Sequence, residues 1–183
     1  MPRFLIHIII ITLLWSCKNN RQAVREPVQH QKSHIDMESV RHNQELNRRE
    51  EAYILKMIKQ DSLHHYIDSG HGFWYYFLKQ NTKSKEQPKA GDKVLLNYQI
   101  KDLSGNIIYS FDEIGEKTYR VDHENYFRGF REAVKLLKEG EAAVFIFPSS
   151  AAYGFHGDEK KIGTNVPLIM ELKIIKINKQ KTD

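Results

Sequence analysis

Four sets of side chains in this 183-residue chain have types and spacings that could carry chemistry. His30 and His34 stand four apart, which on a helix puts two imidazoles on one face as metal ligands. They lie in a polar stretch without a carboxylate to orient them, which favours solvated histidines. His64, His65 and His71 resemble a metal cluster in sequence, yet they flank Ser69-Gly70, a helix-end signal. They read as exposed residues of a C-terminal turn, favourable to the helix dipole. Asp158 and Glu159 pair two carboxylates, as general acid catalysis requires. Their neighbours Lys160 and Lys161 make that segment a charged, solvated loop. The fourth set is aromatic: Tyr98, Tyr126, Phe127, Phe130 and Tyr153 fall where a sheet and its helix face each other, and core packing is their default role. No glycine-rich phosphate loop, glycine-flanked serine elbow or zincin-spaced His-Glu pair occurs, so nucleotide and hydrolase chemistry are poorly supported.

The elements that must position these aromatics follow from periodicity. Val94, Leu96, Tyr98 and Ile100 alternate with Leu95, Asn97, Gln99 and Lys101, and Ser104-Gly105-Asn106 turns the chain into Ile107-Ile108-Tyr109, a hairpin. Phe127, Phe130, Val134 and Leu137 recur at helical offsets and close at Glu139-Gly140, predicting one amphipathic helix of about three turns. Ala143, Phe145 and Phe147 alternate up to Pro148, and Val166 to Ile177 forms the last strand. Phe73 to Leu78 begins the strand-rich region. The pattern predicts an α+β fold, a twisted antiparallel sheet with one helix packed on it, over residues 72–178, with a tail at 179–183.

Before this domain, residues 36–70 lack Pro and carry no Gly until Gly70, with mixed charges at helical spacing and a thin apolar seam of Leu46, Tyr53, Ile54, Met57 and Ile58, extended by Leu63. They predict a charged amphipathic helix whose seam docks on its own domain or on a second copy of itself as a homodimer. Residues 17–35 are polar and form a tether. Residues 1–16 read as a signal peptide: Met1 and Arg3, an apolar run from Phe4 to Trp15, then Ser16 and Cys17. The run is shorter than the ~20 residues of a membrane-spanning helix. Leu14-Trp15-Ser16-Cys17 resembles a bacterial lipobox, which implies lipidation of Cys17. Lys18, in place of an Asp, directs the expectation to the outer membrane, facing the periplasm.

Composition agrees with a single folded domain plus appendages. Hydrophobic residues make up 40% and charged residues 28%, enough for a core. The net charge of +5 comes from interspersed signs, so nucleic acid is not an expected partner. One Cys excludes a disulfide within the chain and a Cys-rich zinc site.

The order of segments carries a family resemblance: Lys89-Ala90-Gly91-Asp92-Lys93-Val94, Asn97-Tyr98, Ser104-Gly105, Phe127-Arg128-Gly129-Phe130, Lys138-Glu139-Gly140-Glu141, Pro148 with Ala152-Tyr153-Gly154, and Ile162 with the stretch from Asn165 to Leu172. This resembles an FKBP-type peptidyl-prolyl cis-trans isomerase domain over residues 72–178. The lipobox, charged helix and domain together resemble the gliding-motility-associated lipoprotein isomerases of Bacteroidetes. The resemblance implies cis-trans isomerisation of X-Pro bonds in extracytoplasmic clients, without cofactor or metal. It implies Tyr98, Phe127, Phe130 and Tyr153 as the catalytic set, with Ile108, Tyr109, Tyr126, Ile162 and Met170 around the prolyl ring. Tyr153 would offer its hydroxyl and Phe127 its backbone N–H.

Departures from the family pattern bear on activity. Ile108-Tyr109 replaces a Phe-Asp pair, with Asp112 a few residues on as the expected substitute acid. Phe130 stands for Trp, Met170 for Phe, and Asn125-Tyr126 for an acidic-aliphatic pair. Ile162-Gly163-Thr164 replaces Ile-Pro-Pro, predicting a less rigid loop. A binding module, chaperone or adaptor of an envelope machine, is the alternative reading.

Overall fold

A computed structural model describes residues 37–84 and 86–180. The expected signal segment, Cys17, the tether with His30 and His34, and residues 181–183 of the tail lie outside the described residues.

Helix α1 spans Met37–Gln60. Its exposed face carries Glu45, which accepts from Arg48 and Arg49 at i+3 and i+4, solvent-screened pairs that contribute little. Ile54 is its one buried side chain. The helix ends at Gln60 rather than running on to Gly70, because Asp61 draws the backbone into a local turn. One Asp61 oxygen accepts the Leu63 N–H at 2.9 Å, and the other takes His64 Nδ1 at 2.7 Å and the Tyr66 hydroxyl at 2.9 Å. His64 stacks on Tyr76 with ring centroids 4.1 Å apart, so it does not cap the helix as expected.

Residues Ile67–Asp68 form β1 and pair with β2, Trp74–Lys79. Next come β3 (Lys93–Lys101), β4 (Ile107–Tyr109), the short helix α2 (Phe111–Ile114), β5 (Lys117–Arg120), α3 (Arg128–Leu136), β6 (Ala142–Phe147), a 3-10 turn (Ser149–Ala151) and β7 (Leu168–Asn178). The seven strands among the described residues make one antiparallel sheet in the order β1-β2-β6-β7-β3-β4, with β5 also on β3. Strand β5 was not legible from the sequence, since Lys-Thr-Tyr-Arg shows no apolar alternation; it forms because Tyr119 pairs with Val94 and is fully buried.

The expected alternation holds on β3 and β7: Val94, Leu96, Tyr98 and Ile100, with Leu168, Met170, Leu172 and Ile174, all face one core. Helix α3 lays Phe130, Ala133 and Val134 on that face, and Leu137, just past its end, adds to it. Strand β6 departs from alternation, since Val144 and Ile146 are buried as well as Ala143, Phe145 and Phe147. Phe145 sits among Tyr75, Phe73 and Phe147, with centroids 5.3, 6.0 and 6.0 Å away. Buried acids tie the ends of the layers: Asp92 accepts the Lys89 and Gln180 N–H groups, and Glu141 accepts those of Asn81 and Lys138.

This packing predicts that Phe145→Ala costs about 3–5 kcal/mol in urea unfolding, as for buried aromatics generally. Leu78→Ala, at a 48% exposed strand position, costs under about 1 kcal/mol in the same measurement.

Candidate active site

The aromatics expected at the site meet around Phe130. Its ring is stacked by Tyr126 (4.2 Å, 15° between planes) and met edge-on by Tyr98, Tyr119 and Phe127 at 5.3, 5.3 and 5.9 Å. Phe127 in turn touches Tyr153, with centroids 4.8 Å apart. Strand β3 supplies Tyr98, the start of α3 supplies Phe127 and Phe130, and the chain after the 3-10 turn supplies Tyr153.

Beside this wall opens a cleft of about 370 Å³ lined by Tyr98, Ile100, Tyr109, Glu113, Ile114, Lys117, Tyr153, Asp158 and Lys160. Three of the expected residues, Tyr98, Tyr109 and Tyr153, line it directly. Tyr126 and Phe127 remain partly exposed on the neighbouring wall. Phe130, Ile162 and Met170 differ from expectation: they are 0%, 2% and 0% exposed and belong to the core beneath the site. The stacked Tyr126 ring covers Phe130, and Met170 lies mid-sheet between Phe145 and Ile100. Ile108 packs against the core, and its carbonyl accepts from Lys161 Nζ at 3.3 Å.

Asp158 is the residue that sequence reasoning misplaced. It is half-buried rather than solvated, and its carboxylate accepts the Tyr109 hydroxyl. It also accepts the N–H groups of Lys160 at 3.0 Å and Ile162 at 2.7 Å, while its own N–H donates to the Ile162 carbonyl. The loop without prolines is therefore pinned by this reciprocal pair. Gly157 permits it, with φ +67° and space for a Cβ taken by the Ile162 carbonyl oxygen at 2.2 Å. Asp112, the expected substitute acid, is exposed on α2 and outside the cleft. One acidic group at the site thus comes from the loop, facing a tyrosine on the hairpin, and Glu113 of α2 is a second on the cleft's lining. Charge spacing alone could not have shown it, because Asp158-Glu159-Lys160-Lys161 looks like any solvated run.

The remaining cleft charges are partly matched. Lys161 pairs with Glu113 at 2.5 Å and lies 4.8 Å from the centre of the Tyr109 ring. Burial raises the Tyr98 phenol, helped by the nearby Tyr126 and Tyr153. Burial, with the Asp158 charge second, pushes Tyr153 up to about 12, so its hydroxyl stays a donor well beyond neutral pH. Burial alone would raise the Asp158 carboxyl, but the Tyr109 hydroxyl and the Ile162 and Lys160 N–H groups outweigh it and hold it below the ordinary value. Among the described residues no group of three or more His, Cys, Asp or Glu is placed to hold a metal ion.

A carboxyl depressed in the folded state stabilises above its unfolded pKa of about 3.9 and loses that contribution as pH falls through the folded value. Asp158→Asn is therefore expected to lower the urea midpoint at neutral pH and to shrink the fall in midpoint between pH of about 4 and 2.

Comparisons with known proteins give the family and the fold. The family model described as FKBP-type peptidyl-prolyl cis-trans isomerase matches residues 84–175, half of the chain. The chain is 34% identical over 107 residues to the probable FKBP-type peptidyl-prolyl cis-trans isomerase FkpA of Neisseria meningitidis serogroup B, covering 58% of this chain and 38% of that protein. It is 27% identical over 96 residues to the peptidyl-prolyl cis-trans isomerase Mip of Coxiella burnetii, covering 52% and 41%. It thus spans about two fifths of the length of these curated relatives. In fold it is similar to the crystal structure of FkpA from Escherichia coli, with TM-score 0.61 and 20% identity over 78% of this chain and 64% of that one. A peptidyl-prolyl isomerase structure from Pseudomonas syringae gives TM-score 0.59 and 20% identity over 74% and 96%. With its sheet, its packed helix and residues 84–175 all matched, the chain belongs to the FKBP-type peptidyl-prolyl cis-trans isomerase family.

Proposed function

We propose that this protein accelerates cis-trans exchange at X-Pro bonds of polypeptide clients outside the cytoplasm. The observation that carries the reading is that Tyr153 lines an aromatic-walled cleft with its phenol pushed up to about 12, so that its hydroxyl keeps its proton as a donor. Rotation about an X-Pro amide has a barrier near ~20 kcal/mol because resonance is lost at the twisted geometry. No bond to the enzyme is needed. A water-poor wall that disfavours the polar planar amide, and a donor fixed where the client carbonyl arrives in the twisted form, lower that barrier. Tyr98, Tyr126 and Phe127 supply the wall, Tyr153 the donor, and the Tyr109–Asp158 pair keeps the cleft mouth in shape.

Location belongs to the same reading. The apolar run from Phe4 to Trp15 ahead of Ser16-Cys17 supports cleavage before Cys17 and lipidation of its thiol, with Lys18 favouring the outer membrane. The tether then lets the domain meet periplasmic clients, as in a gliding-motility-associated lipoprotein isomerase. The covered face of Phe130 and the charged lining of the cleft favour a second reading, an FKBP-like chaperone or adaptor with weak turnover.

Exchange in a Leu-Pro peptide separates the two. The isomerase is expected to accelerate it, and Tyr153→Phe to slow the acceleration roughly fivefold, equivalent to about 1 kcal/mol for one hydrogen bond, with the fold retained. Turnover should stay level from pH 8 to 10, where an ordinary tyrosine of pKa about 10 would begin to ionise. No acceleration by a well-folded sample favours the adaptor. In cell fractions, Cys17→Ser should move the protein from the membrane to a soluble fraction.

A further inference from the structure

We propose that Glu50, on α1 and outside the matched family segment, is a positioning residue for the Tyr153 hydroxyl. This deepens the reading of the Tyr153 cleft as the prolyl site and rests on it. The chain leaves β6 through Pro148 into the 3-10 turn, and Pro148 has no side-chain acceptor for the turn's first N–H groups. Ser149, 1% exposed, brings a backbone N–H and a hydroxyl into the interior, where unsatisfied donors are costly. Glu50 satisfies both: one carboxylate oxygen accepts the Ser149 N–H at 2.7 Å and the other the Ser149 hydroxyl at 2.8 Å. A helix distant in sequence thus caps the turn with a charge-assisted, two-point clamp.

The clamp acts on the segment that carries Tyr153. The Ser149 carbonyl accepts the N–H groups of Ala152 at 3.0 Å and Gly154 at 2.9 Å, bracketing Tyr153 on both sides. The Gly154 carbonyl then accepts the Asn165 N–H at 2.8 Å, tying the segment to the chain entering β7. On the other flank, Gly129 of α3 lies so close to the Ala151 carbonyl that an added Cβ would stand 2.7 Å from it. Ser149 is therefore the point from which the backbone on either side of Tyr153 is held, and Glu50 holds Ser149. A hydroxyl that must meet a carbonyl in one strained geometry is sensitive to displacements of this kind.

The test uses the full chain purified in detergent, with Glu50→Ala, Glu50→Gln, the exposed control Glu51→Gln, Tyr153→Phe and the double variant Glu50→Ala/Tyr153→Phe. Exchange in a Leu-Pro peptide is resolved into kcat and KM, and amide hydrogen exchange is followed at Gly154 and Asn165. Glu50→Ala is expected to lower kcat about tenfold with KM nearly unchanged. Glu50→Gln, which still accepts the Ser149 N–H, recovers part of this, and Glu51→Gln matches the parent. In the Tyr153→Phe background Glu50→Ala should lower kcat little further, which a general loss of stability would not produce. Gly154 exchange should quicken in Glu50→Ala. Additive losses, or a folded Glu50→Gln and Glu50→Ala with parental kcat and Gly154 exchange, overturn the proposal. If Glu50→Ala does not fold, Glu50→Gln decides: intermediate kcat with faster Gly154 exchange supports the proposal, and parental values overturn it. Absence of turnover in the parent chain defeats the isomerase reading. Gly154 exchange and the Tyr153 ring signals then decide the clamp alone, changed signals supporting it and unchanged signals overturning it.

Discussion

The burial of one ring, Phe130, organises both the core and the site. Four aromatic neighbours surround it: Tyr98 from β3, Tyr119 from β5, and Tyr126 and Phe127 from the loop into α3. Ring pairs at these separations add to the stabilisation of burial and prefer particular angles. Fixing Phe130 therefore fixes the distance of α3 from the sheet and the direction in which Phe127 faces Tyr153. It also fills the floor of the aromatic wall from within the chain, which moves the open space toward Tyr98, Tyr109 and Tyr153.

The second constraint is the supply of acceptors for backbone N–H groups in irregular segments. Loops next to a core cannot leave donors buried and unpaired. Here carboxylates meet that need repeatedly: Asp61 after α1, Asp92 before β3, Glu141 before β6, Asp158 in the loop before β7 and Glu50 at the 3-10 turn. Two of these, Asp158 and Glu50, hold segments that carry or face the cleft. The chain thus uses charge for shape in these irregular segments.

For function, this arrangement separates the fold from the site's detail. The sheet and α3 are those of an FKBP-type domain, and the reaction proposed for it needs only a dry wall and a fixed donor. The Tyr109–Asp158 pair, with Lys117 and Lys160, lines the cleft. Together they set the cleft's charge and rim, and Tyr109 also packs against the core.

Much of the fold is legible in the sequence. Alternation on β3 and β7 and the offsets of Phe130, Val134 and Leu137 dictate their elements, because period-two and period-3.6 burial leave direct marks on composition. The order of motifs brought Tyr98, Phe127 and Tyr153 forward as site residues. Other features depended on partners distant in the chain. Strand β5 is a strand only because Val94 and its neighbours offer a ladder, and α1 stops at Gln60 because Asp61 finds Tyr66 and His64. Asp158 became a cleft residue through Tyr109, Glu50 became a cap through Ser149, and Phe130 was closed off by Tyr126. Local sequence records which side chains must be buried and at what period. Which polar group meets which donor, and whether a buried ring remains open to a client, depends on three-dimensional neighbours, and only the tertiary structure decided it.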